Sequence, residues 1–371
     1  MPNHNGTSPI QVLVVDDSAV VRQVMQAILS QESDMAVTVA SDPLIAMQKM
    51  EQTRPHVVLL DLEMPRMDGL TFLRKIMAED PIPTLVCSGA AAKGTRNALL
   101  ALDEGALGIV TKPKIGVHDF LHESALMLID MVRAAAQAHV KKRTPPLNLC
   151  RRHPVVVQPA SKPRASLPRT SLAGAIVAIG ASAGGTEALT EVLSALPADA
   201  PGIVVVQHMP ESFTAAFARR LNDLCQIEVR EGADGDLVVP GRAIIAPGNR
   251  HLSVVRRNGH YQVDLSDGPL VSRHRPSVDI LFRSIASAAG ANSLGIILTG
   301  MGKDGASGML AMKHAGSHTV AQDENTCVVF GMPKEAIAVG AVDSIASLDS
   351  IPEIIMNWAR RGRSALASSA V

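Results

Sequence analysis

Aromatic residues are scarce: one Trp, one Tyr and six Phe make up 2% of the 371 residues. So few rings cannot furnish the stacking platforms on which single-stranded nucleic acids or sugars rest. Net charge is also lacking. Thirty-five Lys and Arg offset 35 Asp and Glu, which removes the basic footprint of a general nucleic-acid binder. The C-terminal half shows neither a helix-turn-helix signature nor a basic face, so a DNA-binding regulator is disfavoured. The four cysteines, Cys87, Cys150, Cys225 and Cys327, are scattered without paired metal spacing and read as reduced thiols of a cytosolic protein. No run of about 18 apolar residues marks a membrane span, and the opening MPNHNGTSPI lacks the apolar stretch of a signal peptide. A cytoplasmic protein is therefore expected. What is present is ample apolar material, 47% of residues, in a length that suits two domains.

The first domain is expected over residues 10–133. Short apolar strands at Val12–Val15, Val37–Ala40, Val57–Leu60, Thr84–Cys87 and Gly108–Val110 alternate with helical spacing, the pattern of a parallel α/β sheet. Residues 134–173 change character. KKRTPPLNLCRRHPVVVQPASKPRASLPRTS is rich in Pro, Arg, Lys and Ser and reads as a linker, with Ala134–Val140 able to continue the preceding helix. The second domain is expected over residues 174–363, again α/β, with strands at Ile176–Ile179, Ile203–Val206, Ala243–Ile245, Ile296–Leu298 and Ser317–Ala321. Asn258-Gly259 between His251–Val255 and Tyr261–Leu265 signals an antiparallel hairpin.

In the first domain Asp16 and Asp17 end the first strand and Asp61 ends the third. Open α/β sheets bind ligands at such strand ends. Clustered carboxylates repel, and a hard divalent cation such as Mg²⁺ is their natural complement. A carboxylate beside that cation can attack a phosphoryl donor. Ser88 follows the fourth strand and Lys112 the fifth, where a hydroxyl and an ammonium would bind phosphoryl oxygens.

In the second domain IVAIGASAGGTEAL runs from an apolar strand through a small-residue turn into a helix, with Ser182 in the turn. A serine so placed has an exposed hydroxyl and unpaired N–H groups beside it. A nucleophilic serine needs a base and an orienting acid. His208 follows the strand Ile203–Val206, and Asp304 lies in the glycine-rich turn after Ile296–Leu298, so three strand ends bring Ser, His and Asp to one sheet edge. A rival reading treats Gly180–Gly184 as a GxSxG elbow and pairs Asp279 or Asp304 with His318. His251, His260 and His314 read as structural.

Both halves resemble known families. Asp16-Asp17, Asp61 with Pro65 and Asp68-Gly69, Ser88 and Lys112-Pro113 resemble the response-regulator receiver domain. GASAGGTEAL, VVVQHMP, IAPGNRHL, SRHRPSVDILF, LTGMGKDGASGM and AQDENTCVVFGMP resemble the output domain of chemotaxis protein-glutamate methylesterases. The resemblance implies a flavodoxin-like receiver with a five-stranded parallel sheet, ahead of a doubly wound, Rossmann-like catalytic domain carrying the hairpin. It implies that Asp61 accepts a phosphoryl group and that Asp16, Asp17, Asp61 and the Glu63 carbonyl hold Mg²⁺. Ser88 would be the switch hydroxyl and Lys112 the phosphate partner. In the output domain it implies Ser182 as nucleophile, His208 as base and Asp304 as its orienting acid. Backbone N–H groups of Ala183 and Met301 would bind the oxyanion, and His274 and Arg275 would edge the substrate site. The implied partners are methyl-accepting chemoreceptors as substrate and a chemotaxis histidine kinase as phosphoryl donor, with membranes met only through receptors and no cofactor for hydrolysis. Two positions depart from the usual pattern. Ala183 stands where Thr is frequent, which spares the N–H but loses a hydroxyl, and Gly89 stands where Ser is common. The other readings are a phosphorylation-controlled binding module without catalysis, and the same esterase serving another signalling array.

Overall fold

In the computed structural model of this protein, residues 8–65, 67–89, 92–112, 118–140, 142 and 174–368 are described. The N-terminal sheet comprises β1 (Ile10–Val15), β2 (Met35–Ala40), β3 (Val57–Asp61), β4 (Thr84–Ser88) and β5 (Gly108–Thr111). All neighbours are parallel, in the order β2-β1-β3-β4-β5. Helices α1 (Ala19–Leu29), α2 (Pro43–Gln52), α3 (Gly69–Glu79), α4 (Ala92–Asp103) and α5 (His118–Ala136) connect and follow the strands. Every residue of β3 and β4 is buried, as expected for central strands covered on both faces. Short polar residues start the helices. Ser18 caps α1, Asp42 caps α2 ahead of Pro43, and Asp68 caps α3, each side chain accepting first-turn N–H groups. The strand order reverses beside β1, which puts the crevice at the carboxyl ends of β1 and β3.

The C-terminal domain follows the same logic with seven parallel strands. In chain order its elements are β6 (Ile176–Ala181), α6 (Gly185–Ser194), β7 (Gly202–Gln207), α7 (Glu211–Leu224), β8 (Glu228–Glu231), β9 (Arg242–Ile245), β10 (His251–Arg257), β11 (His260–Ser266) and α8 (Val278–Ala289). Then come β12 (Ser293–Ile297), α9 (Ala306–His314), β13 (His318–Gln322), α10 (Met332–Ala338), β14 (Ser344–Ala346) and α11 (Ile351–Ser368). The sheet order is β14-β13-β12-β6-β7-β9-β8, so the direction of winding reverses around β6. Strands β6, β7 and β12 are buried throughout. The hairpin β10–β11 turns at Asn258 and Gly259, with φ of 51° and 79°, the positive pair a tight hairpin turn requires.

The expected α/β class and the parallel order are both present. The differences lie at ends and edges. β6 runs two residues past Ile179, through Gly180 and Ala181, and α6 begins at Gly185 rather than Thr186. Helix α5 continues through Ala136. The linker expected beyond it falls, at 141 and 143–173, outside the described residues, as does Pro113.

The two domains touch. Arg273 lies 2.6 Å from Asp130 of α5, and Arg220 of α7 pairs with Asp103 and donates to the Leu99 carbonyl of α4. Gly184 N–H donates to the Leu107 carbonyl at 3.1 Å, and His139 N–H donates to the Val328 carbonyl at 3.0 Å.

Candidate active site

Ser182 follows β6, at the point where the winding reverses. Its N–H donates to the Thr299 carbonyl at 3.1 Å, and its own carbonyl accepts from Gly185 N–H at 2.8 Å and Gln207 Nε2 at 2.9 Å. The turn is tight. A Cβ on Gly184, which has φ of 73°, would meet Val328 Cβ at 2.7 Å, and one on Gly300 would meet Ser182 Cβ at 2.7 Å. Only glycine gives both the left-handed backbone and the clearance.

His208 extends from β7, its N–H donating to the Ala181 carbonyl at 3.0 Å. Gln207 Nε2 spans the carbonyls of Ser182 and His208, tying the two strand ends together. His208 Nε2 lies 2.9 Å from Asp304 Oδ2. A carboxylate only accepts, so Nε2 carries the proton and Nδ1 is left with a lone pair. Nδ1 is buried and has no hydrogen-bond partner among the described residues. It is the nitrogen free to take a proton.

Asp304 is almost fully buried, yet its pKa is held below the carboxylate norm. Burial alone would raise it. The His208 hydrogen bond and charge, the Ser277 hydroxyl and the Val278 N–H outweigh that penalty. Ser277 Oγ donates at 2.7 Å, Val278 N–H at 2.7 Å and Asp279 N–H at 3.1 Å, all from the start of α8. The acid therefore sits on a helix N-terminus.

The His274 ring stacks on His208 with centroids 3.7 Å apart and planes 6° off parallel. Its Nδ1 donates to the Ser272 carbonyl at 2.7 Å. Burial first, then the neighbouring His208, pushes its pKa down to about 3, so it stacks as a neutral ring. Ser272 and Arg273 carry φ of 50° and 66°, an uncommon backbone for side-chain-bearing residues. Arg275 spends its guanidinium on Asn249 Oδ1 and on the carbonyls of Asp267 and Gly268, bracing a loop. Neither Ala183 nor Met301 N–H donates to an acceptor among the described residues.

The rival residues lie elsewhere. His318 opens β13, its Nδ1 3.5 Å from Asp343 Oδ2. Asp279 is in the first turn of α8, capping α9. Buried His251 is held between the Pro269 carbonyl and the Ser277 N–H. His260 is in the hairpin and His314 ends α9. Sequence reasoning missed the roles of Ser277 and Thr299. Thr299 Oγ1 donates to the Ala183 carbonyl at 3.0 Å, so it orients the turn that carries Ser182.

At the N-terminal crevice, ligand oxygens of Asp16, Asp17 and Asp61 lie within 4.8 Å of one another. Lys112 Nζ bridges Asp16 Oδ2 at 2.9 Å and Asp61 Oδ2 at 2.8 Å. Burial raises the Asp16 pKa, with Lys112 opposing. Burial also works against the Lys112 ammonium, but its two carboxylate partners outweigh it and its pKa is raised. Glu63 N–H donates to Asp61 Oδ1 at 3.1 Å, and Ser88 Oγ donates to the Gly89 carbonyl at 3.2 Å. An all-oxygen set of three carboxylates fits a hard cation such as Mg²⁺.

Comparison with known proteins agrees in both halves. Residues 177–355 match the CheB methylesterase family, and residues 12–120 match the response regulator receiver domain. A protein-glutamate methylesterase/protein-glutamine glutaminase of Anaeromyxobacter dehalogenans is 55% identical over 350 residues, covering 94% of this chain and 99% of that one. Another so named, from Xanthomonas oryzae pv. oryzae, is 55% identical, covering 92% and 99%. The crystal structure of the Thermotoga maritima CheB methylesterase catalytic domain is 40% identical, covers 50% of this chain and 98% of that one, and gives a TM-score of 0.49.

Proposed function

This chain belongs to the protein-glutamate methylesterase/protein-glutamine glutaminase family, and we propose that Ser182, His208 and Asp304 carry its hydrolysis under control of the N-terminal receiver. The observation that carries the reading is the His208 ring, with Nε2 donating to Asp304 and a buried Nδ1 that has no partner among the described residues.

His208 Nδ1 takes the Ser182 proton as Oγ attacks the γ-carbonyl of a methylated glutamate side chain. The tetrahedral oxyanion is met by the Ala183 and Met301 N–H groups, which have no competing acceptor among the described residues. His208 returns the proton to the leaving methoxide, and methanol departs. A water, deprotonated by the same Nδ1, then cleaves the acyl-enzyme and restores glutamate. With glutamine as substrate the leaving group is ammonia. Asp304 stays ionised throughout and stabilises the imidazolium. His274 lies flat against the base, and Arg275 holds the loop that presents it.

The receiver supplies control. Mg²⁺, when bound by Asp16, Asp17, Asp61 and the Glu63 carbonyl, would offset charge as Asp61 accepts a phosphoryl group. Lys112 is poised to pair with the phosphate, and Ser88 to turn toward it. In the structure the Leu107 carbonyl occupies the Gly184 N–H, two residues past the nucleophile. The Asp130–Arg273 pair grips the residue before His274. Phosphorylation would shift the population away from this docked arrangement. The substrate is the cytoplasmic part of methyl-accepting chemoreceptors, the phosphoryl donor a chemotaxis histidine kinase, and the protein is cytoplasmic. Among the described residues no helix is long and apolar enough to cross a membrane.

The test is methanol release from a methyl-esterified receptor cytoplasmic domain, with Mg²⁺ and an acyl-phosphate donor. Release by the wild type that is lost in Ser182→Ala is expected. Equal release by Ser182→Ala would remove the serine mechanism.

A further inference from the structure

Two aspartates at the crossing of α8 and α9 cap each other's helices. Asp304, just before α9, accepts from Ser277 Oγ and from the Val278 and Asp279 N–H groups that open α8. Asp279, in the first turn of α8, accepts on its Oδ1 from Gly305 N–H at 3.1 Å and Gly308 N–H at 2.6 Å, which open α9. The helices are pressed together at this point. A Cβ on Gly305 would meet Val278 Cγ1 at 2.6 Å, and one on Gly308 would meet the Asp279 carbonyl and Phe282 Cβ at 2.8 Å. Asp279 is 5% exposed, and burial, followed by the charge of Asp304, raises its pKa. A carboxylate so close to another inside a helix crossing carries a burial and repulsion cost, which the Gly305 and Gly308 N–H groups oppose.

We infer that Asp279 is a positioning residue for hydrolysis: by fixing the Gly305–Gly308 turn it keeps Asp304 within reach of His208 Nε2. The chain of contact is short. Asp279 holds Gly305, the residue after Asp304, while its own N–H holds the Asp304 carboxylate. Asp304 thus cannot retreat from His208 without breaking bonds at both helix starts. The positive charge of Arg283, one turn along α8, opposes the rise in the Asp279 pKa, and its guanidinium donates to Ser307 Oγ at 2.8 Å. A bare helix cap would need one acceptor at the start of α9. The reciprocal arrangement adds a fixed distance between the base and its acid, and small displacements of such a pair are expensive in rate.

The inference rests on Ser182, His208 and Asp304 acting as proposed, and its test separates the two. In the full-length protein with Mg²⁺, acyl phosphate and methyl-esterified receptor domain, kcat and KM are measured for Asp279→Ala and Asp279→Asn. The low-field proton resonance of His208 Nε2–H, identified by its absence in His208→Gln, is followed in parallel. Asp279→Ala is expected to lower kcat about tenfold or more with KM nearly unchanged, and to shift or erase the resonance. Asp279→Asn, which keeps an acceptor, is expected to restore most of kcat and the resonance. A folded Asp279→Ala with the wild-type resonance, whatever its kcat, overturns the inference. Should Asp279→Ala not fold, Asp279→Glu takes its place, since it keeps charge and acceptors but displaces the turn by a methylene. Reduced kcat with a moved resonance is then expected, and wild-type values of both overturn it. Activity surviving in Ser182→Ala would instead sink the triad reading, while the resonance comparison would still stand.

Discussion

Arg273 of the C-terminal domain and Asp130 of the receiver meet at 2.6 Å, one residue from the histidine that stacks on His208, the proposed base. The ion pair therefore joins the docked receiver to the ring nearest His208. It is also half open to solvent on the arginine side, with 59% of that side chain exposed, so its strength is that of a surface pair.

Asp130→Asn is accordingly expected to raise the methanol-release rate of the unphosphorylated protein by a factor of roughly 1.5–5, the equivalent of 0.2–1 kcal/mol for such a pair. The phosphorylated protein should be unaffected, because its receiver is already displaced. A variant with unchanged basal rate would mean that docking is held by the other contacts, those of Arg220, Leu107 and His139.

Asp304→Asn is expected to lower kcat by about 10⁴ with little change in KM, since an amide cannot hold His208 with its proton on Nε2. The same acid shapes stability at low pH. Its folded pKa is depressed, so its stabilisation is fully present above the ordinary carboxylate value and is lost as pH falls through the depressed one. Thermal melts taken from neutral pH downward should show a shallower acid-side decline in Asp304→Asn. An identical decline would place the acid sensitivity in other carboxylates.

Much of the fold was legible in the chain because central parallel strands are written as unbroken apolar runs, and the proposed site residues follow them directly. Ser182, His208, Asp61 and Lys112 each come just after such a run or end it. The edges were not legible. β8 has a single buried residue, Val229, and β14 has none, so neither carries the apolar signature. Ser277 escaped for a different reason. Its bond to Asp304 spans 27 residues and depends on where α8 crosses α9, which no local pattern encodes. The choice of His208 nitrogen was equally hidden, because it follows from ring orientation rather than spacing.

Mg²⁺ binding to the receiver is expected to tighten as pH rises through the raised pKa of Asp16. A buried carboxyl that retains its proton above the ordinary range must release it to bind the cation. Lys112→Met should tighten binding further, since the ammonium that spans Asp16 and Asp61 competes for the same oxygens. Titration calorimetry at stepped pH measures both effects. A pH-independent affinity would count against Asp16 as a ligand.

Gly184→Ala tests the turn that carries Ser182. Its φ of 73° disfavours any side chain, and the new Cβ would fall 2.7 Å from Val328 Cβ. The backbone preference alone costs about 1–2 kcal/mol, and the overlap adds to it. In a domain of this size that corresponds to a fall in Tm of about 2–8 °C. The effect should not stop at stability. Relief of the overlap moves residue 184 away from Val328, and the Ala183 N–H, one residue back, moves with it. A rate loss larger than the stability loss explains, measured well below Tm, is therefore expected. Full kcat in a destabilised Gly184→Ala would show that the Ala183 N–H, the proposed oxyanion donor, is held by Thr299 and Gln207 rather than by the glycine.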